Sequence, residues 1–127
     1  LLGKGPVVIY FYPKDNTPIC TKESCHFRDE HSEFEQAGAV VLGVSADSSS
    51  SHKQFRAQHK LPFSLLADTE NKMRTLFGVP KALGLMPGRS TYIFDKEGVV
   101  HHVTHSSFQA LKHVDDALRI VKELAQN

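Results

Sequence analysis

The most uniform apolar run in the chain is Val7-Val8-Ile9-Tyr10-Phe11-Tyr12, rich in β-branched and aromatic residues and closed by Pro13. Without polar alternation it predicts a central strand buried on both faces. Ala39-Val40-Val41-Leu42-Gly43-Val44-Ser45 predicts a second buried strand. Between them Phe27 and Phe34 recur seven residues apart among charged residues, which predicts a helix from about Pro18 to Ala37 with Gly38 as its stop. Strand, helix, strand in this order implies a parallel pair with a right-handed crossover. Ligands in such sheets gather at the C-terminal strand ends, where the Pro13 to Cys20 loop lies.

Farther along, Ser48-Ser49-Ser50-Ser51 predicts a loop plus N-cap for a short helix to about Lys60. Pro62 leads into a strand near Phe63 to Leu66, and Asp68 or Thr69 caps a helix carrying Met73, Leu76 and Phe77 that Gly78 and Pro80 end. Lys81-Ala82-Leu83-Gly84-Leu85-Met86-Pro87-Gly88 is an apolar loop that either packs on its own domain or forms a pocket wall or partner surface. It delivers Arg89 to a strand through Phe94. Asp95-Lys96-Glu97-Gly98 then turns the chain into an antiparallel strand through Thr104. Leu111, Val114, Leu118, Val121 and Ala125 mark an amphipathic C-terminal helix over the sheet. The order is that of an α/β, thioredoxin-like fold with a central mixed sheet flanked by helices.

The chemistry centres on Cys20. Thr17 is a natural N-cap and Pro18 suits the first helical position, so Cys20 falls at the third. There the macrodipole and unpaired backbone N–H groups favour a thiolate, and Cys20 is expected to be partly ionised and nucleophilic at neutral pH; the alternative is a small buried hydrophobe. Cys25 lies five residues on, which in a helix separates the Cα atoms by roughly 8 to 9 Å, beyond the span of about 7 Å a disulfide tolerates. If the two cysteines pair during turnover, the first turns must unwind, giving a reduced helical state and an oxidised, locally unfolded one. A permanent disulfide is disfavoured by the capped helix and short loop. Zinc on Cys20, Cys25, His26 and His31 is disfavoured by their spacing around the helix, and no Cys-x-x-Cys dithiol is present.

Composition narrows the remaining classes. The 127 residues are long enough for one domain with a real core, and 40% are hydrophobic. A net charge of +1 from 15 basic and 14 acidic residues shows no nucleic-acid footprint. No apolar run is long enough to span a membrane. Two cysteines argue for a reducing compartment, and Leu1-Leu2-Gly3-Lys4-Gly5-Pro6 is unlike a signal core. A cytoplasmic location is expected, with the chloroplast as the alternative if a transit peptide was removed. Among eight histidines, His101 and His105 would share a strand face about 13 Å apart with His102 opposite, so they cannot jointly chelate one ion. His26 and His31 are expected on the helix surface, as are the charges of Arg28 and Asp29.

Pro13-x-x-x-Thr17-x-x-Cys20, with a second cysteine five residues later, resembles the active-site signature of peroxiredoxins of the peroxiredoxin Q or bacterioferritin comigratory protein branch. The resemblance continues through Lys22-Glu23-Ser24-Cys25-His26-Phe27-Arg28-Asp29, Leu61-Pro62-Phe63 and Pro87-Gly88-Arg89-Ser90-Thr91-Tyr92, covering nearly the whole chain. It implies a thiol-dependent peroxidase in which Cys20 attacks hydrogen peroxide or an alkyl hydroperoxide and Cys25 resolves the sulfenic acid as an intramolecular disulfide. Thr17 would hydrogen-bond the peroxide, Pro13 shield the sulfenate, Arg89 stabilise the thiolate and orient substrate, and Glu23 hold the arginine. Thioredoxin or a similar dithiol protein would be the reductant, with no metal, haem or flavin, and a monomer would suffice. Ile19 stands where many relatives have glycine. Such relatives usually have a further strand pair before Val7, so the N-terminal strands of the domain are expected to be missing. A disulfide oxidoreductase or a non-enzymatic redox sensor on the same fold are the alternatives.

Overall fold

The structure, a computed structural model, describes residues 5–79, 89–105 and 109–125. β1 (Val7–Phe11), β2 (Val40–Ser45), β3 (Ser64–Ala67), β4 (Ser90–Phe94) and β5 (Val100–His105) form one mixed sheet in the order β3-β2-β1-β4-β5. β1 is central, and its apolar run is buried as its composition predicts. It pairs in parallel with β2 and antiparallel with β4, and β5 closes the hairpin.

Period-two alternation along β1 sends side chains to two clusters. Val8 and Tyr10, followed by Tyr12, join Phe27, Phe34, Phe55, Ile93, Val114 and Val121 under the helices of one face. Phe11 joins Val44 and Tyr92 on the other, covered by Met73 and Phe77. Gly43, opposite Tyr10 in the β1–β2 register, leaves room for that ring: a Cβ there would lie 2.8 Å from Tyr10 Cζ and 2.7 Å from Leu65 Cδ2.

The predicted helix from about Pro18 to Ala37 is two helices, α1 (Pro18–Asp29) and α2 (His31–Gln36), with Glu30 between them at φ −96° and ψ 8°. Phe27 in α1 and Phe34 in α2 both enter the core, their ring centroids 5.6 Å apart. Gly38 follows at φ 74°, as its stop role requires. α3 (Ser49–His59) is capped by Ser48, whose Oγ accepts from the Ser51 N–H at 3.1 Å. In α4 (Lys72–Phe77) the capping contacts come from Asp68, whose carboxylate accepts from the N–H groups of Met73 and Arg74, each at 3.0 Å. Leu76 is 83% exposed there, whereas Arg74 is buried. α5 (Ala110–Ala125) buries Val114 and Val121 as expected. Leu111 is exposed, and Ala110, His113 and Ala117 take the buried face with them. The Lys81–Gly88 loop, Pro80 and the first four residues lie outside the described residues.

Candidate active site

The site is built where β1 ends. After Phe11 the chain turns, with Asn16 in the left-handed region at φ 62°, and enters α1. Thr17 has N-cap backbone geometry and Pro18 opens the helix, so Cys20 is the third helical residue. The Thr17 side chain does not cap the helix, contrary to expectation. Its hydroxyl donates instead to the Lys14 carbonyl at 2.8 Å, an acceptor that the turn brings within reach. Tyr10 seats α1 on the sheet: its ring stacks on Phe27 with centroids 4.5 Å apart, and its hydroxyl lies 2.9 Å from Ser24 Oγ.

Cys20, Glu23 and Arg89 meet in the interior at 1%, 0% and 2% exposure. Cys20 and Glu23 are three residues apart on one face of α1. Arg89 arrives because Phe11 pairs with Ser90, which sets the residue before β4 beside the C-terminal end of β1. Its Nη2 donates to Cys20 Sγ at 3.2 Å and its Nη1 to Glu23 Oε1. Burial works against the charged guanidinium, but Glu23 and Cys20 outweigh it and the net effect on Arg89 is upward. Burial pushes the Glu23 carboxyl up to about 7, with the Arg89 charge and hydrogen bond pulling the other way. Glu23 Oε2 makes no hydrogen bond among the described residues, although His113 Nδ1 lies 3.9 Å away. That same nitrogen is 2.7 Å from Thr91 Oγ1.

Of the remaining predicted residues, Pro13 and Thr17 are half-buried at the turn. Cys25 is a half-buried free thiol in α1, and Cys20 is likewise unbridged, so the structure holds both cysteines in the helical arrangement. Ile19 is 36% exposed and lines a cleft of about 400 Å³ with Lys22, Ala110 and Leu111. His26 meets Asp115 on α5 at 2.8 Å, and Arg28 Nη1 donates to the His59 carbonyl at 2.8 Å, so both tie α1 to neighbouring elements. His101 meets Asp95 and His105 meets Ser90, each locally.

Arg74 is a site residue the sequence reading missed. Its Nη2 donates to the Tyr12 carbonyl at 2.9 Å, and its guanidinium lies 5.7 Å from the Phe11 ring centroid. Burial lowers its proton affinity, while the charges of Asp68 and Cys20 oppose that. A lone arginine on a short helix carries no local mark of burial. The same holds for Asp15, Asp47 and His52, whose ligand-type atoms lie within 4.8 Å of one another beside the turn. Among the described residues this grouping, rather than Cys20, Cys25, His26 and His31, has metal-ligand proximity.

A mixed five-stranded thioredoxin-type sheet flanked by helices is the peroxiredoxin fold, and the comparisons agree. A family model described as AhpC/TSA family matches residues 1–103. The chain belongs to that family, in its peroxiredoxin Q branch. It is 53% identical over 120 residues to "Peroxiredoxin Q, chloroplastic" of Sedum lineare, covering 94% of this chain and 64% of that one. A solved peroxiredoxin Q from Xanthomonas campestris superposes with a TM-score of 0.89 at 36% identity, covering 97% of this chain and 81% of that one. A structure of the bacterioferritin comigratory protein of the same organism, titled for its alkyl peroxide reduction activity, gives 0.88 at 36% identity, covering 97% and 82%. The chain spans less than two thirds of the length of the plant relatives it matches first.

Proposed function

We propose that this chain is a thiol peroxidase acting on hydrogen peroxide and alkyl hydroperoxides. The observation that carries the reading is the buried Cys20–Arg89–Glu23 line, in which a guanidinium donates to the sulfur and is itself held by a carboxylate. A guanidinium hydrogen-bonded to the sulfur places preorganised donors where negative charge develops during O–O cleavage.

In this reading the Cys20 thiolate attacks the terminal oxygen of the hydroperoxide. The S–O bond forms as the O–O bond breaks, and the leaving alkoxide or hydroxide takes up a proton, giving alcohol or water and a Cys20 sulfenic acid. The Thr17 hydroxyl proton is committed to the Lys14 carbonyl, so its lone pairs accept the hydroperoxide O–H and orient it. Pro13 shields the sulfenate. Cys25 then attacks the Cys20 sulfur; the S–S bond forms and the S–O bond breaks, releasing water. That step requires α1 to unwind locally, because the helix holds the two cysteines apart. Thioredoxin or a similar dithiol protein returns the disulfide to two thiols. The chemistry needs one chain of one domain, and we read it as working as a monomer. The plant relatives are chloroplastic proteins, which supports the chloroplast over the cytoplasm for this protein.

The test is rapid-quench reaction of the reduced protein with one equivalent of hydrogen peroxide, with intact mass on wild type, Cys20→Ser and Cys25→Ser. Expected are loss of both thiols in wild type, a trapped sulfenic acid in Cys25→Ser and no reaction in Cys20→Ser. Slow reaction with peroxide alongside rapid exchange with disulfides would overturn the reading in favour of a disulfide oxidoreductase.

A further inference from the structure

We propose that His52, on α3, is a positioning residue for the peroxide site: as an imidazolium it clamps Asp15, and through Asp15 the turn that carries Thr17 and starts α1. The inference rests on the peroxidase reading and adds to it a residue from a different part of the fold.

Asp15 lies two residues before Thr17, buried in the turn at 5% exposure. Its Oδ1 accepts from the Tyr12 hydroxyl at 2.6 Å, and its Oδ2 accepts from Ser51 Oγ at 2.8 Å and lies 2.8 Å from His52 Nδ1. Its backbone N–H donates to Asp47 Oδ2 at 2.8 Å, and that oxygen also accepts from Ser45 Oγ at 2.6 Å. The turn is thus fastened from α3 and from the loop after β2. The Arg74 contact to the Tyr12 carbonyl fastens it from α4. Asn16 beside it takes the left-handed backbone that lets the chain turn there, a conformation asparagine accommodates.

The protonation of His52 follows from its partners. Nδ1 faces the Asp15 carboxylate, and Nε2 lies 3.1 Å from the Leu66 carbonyl of β3. Both are acceptors only, whereas a neutral imidazole has a single N–H and would set a lone pair against one of them. The other groups facing the ring are the Tyr12 hydroxyl and Ser45 Oγ, each 3.5 Å from a ring nitrogen, and the Asp47 carboxylate. Burial opposes the cation, but the Asp15 hydrogen bond and charge, the Leu66 carbonyl and Asp47 outweigh it, so the net effect on His52 is upward. Burial likewise works to raise Asp15, yet the donors from His52, Tyr12 and Ser51 hold it below the usual carboxylate range. The two acceptors around the ring therefore call for the ionised pair, a cationic imidazole facing a carboxylate. As pH rises through the raised His52 value, the ring gives up one N–H while Asp15 stays charged, and the clamp slackens. Asp15, Asp47 and His52 already engage their ligand atoms in these bonds, which is the geometry of an ion pair with its supporting network.

A shift of the turn by a fraction of an ångström displaces the Thr17 hydroxyl from the attack line, and rates respond steeply to such errors. The experiment measures the second-order rate with hydrogen peroxide from roughly pH 6 to 10 for the wild-type chain, His52→Gln, Asp15→Asn and the double variant. Iodoacetamide alkylation of Cys20 is followed in parallel, since it needs no peroxide positioning. Expected is a wild-type rate that falls on the alkaline side, single variants about tenfold slower near neutrality without that fall, and a double variant no slower than either. Alkylation stays within about twofold throughout, and ring ¹⁵N shifts show both His52 nitrogens protonated in wild type at neutral pH. A wild-type rate and pH profile in His52→Gln, an equal loss of alkylation and peroxide reactivity, or a neutral His52 ring would each overturn the clamp. Wild-type protein inert to peroxide would overturn the peroxidase reading and the clamp's role together, which separates that failure from a clamp that fails in an active enzyme.

Discussion

Arg89 and Cys20 are 69 residues apart in the chain, yet the guanidinium donates to the sulfur at 3.2 Å in a site closed to solvent. Two independent placements produce this contact. The helix start after β1 turns Cys20 inward, and the antiparallel register of β4 on β1 sets Arg89 beside it. Glu23, one helical turn after Cys20, accepts the other arm of the guanidinium.

Arg89→Ala should lower the rate with hydrogen peroxide by about 10²- to 10³-fold, the loss typical of a removed preorganised donor. It also strands Glu23 without its buried counter-charge. Breaking such a pair costs about 3–5 kcal/mol. The loss should fall at the low end, because a carboxyl already pushed to about 7 can take up a proton. Stopped-flow competition and urea unfolding of the same preparations check both parts.

Thr17→Val should lower the peroxide rate by roughly 10- to 100-fold, while Thr17→Ser stays near wild type. Stability should change by less than about 1 kcal/mol, because the side chain caps no helical N–H and, among the described residues, bonds the Lys14 carbonyl. Urea unfolding alongside the rate measurement separates this from the larger loss that a true N-cap would show.

Tyr10→Phe should speed disulfide formation after peroxide addition. The Tyr10 hydroxyl is bonded to Ser24, which lies between the two cysteines in the segment that the proposed disulfide requires to open. Losing a buried bond of about 1 kcal/mol shifts an opening equilibrium by roughly fivefold. Quenched-flow intact mass, following conversion of sulfenic acid to disulfide, reads it directly.

Glu23 supplies a pH prediction with a definite sign. Its value in the folded chain, about 7, lies above the 4.5 of a free glutamic acid side chain, so the folded state holds this proton more tightly than the unfolded one. Its contribution to stability is full below about 4.5 and is lost as pH rises through about 7. Wild type should therefore lose on the order of 1–3 kcal/mol relative to Glu23→Gln across that window. Urea unfolding of the two proteins at a series of pH values checks it, and a constant difference would contradict the shift.

Much of the frame was legible because it depends on neighbours in the chain. The Val7–Tyr12 run, the Ser48 cap, the left-handed glycines at 38 and 78 and the strand starting after Arg89 all follow from local sterics and hydrogen bonding. At Arg74 the reading departed from the structure because partners distant in the chain intervened. Arg74 is buried where Leu76 is exposed, since the Tyr12 carbonyl and the Phe11 ring receive its guanidinium. Thr17 found a carbonyl across its turn in place of a helix N–H.

Proline, cap and apolar run act over a few residues, so the chain from Val7 to Cys20 is enough to place a cysteine in the first turn of a helix after a central buried strand. The sequence also carried the motif of the family in Pro13, Thr17, Cys20 and Arg89. Only the tertiary structure decided that Arg89 would reach both Cys20 and Glu23, that His113 would lie beside the same carboxylate, and that His52 would meet Asp15. Those meetings depend on sheet register and helix packing between segments up to 90 residues apart. Electrostatic pairing in a buried site is set by those distances, and no local pattern of residues contains them.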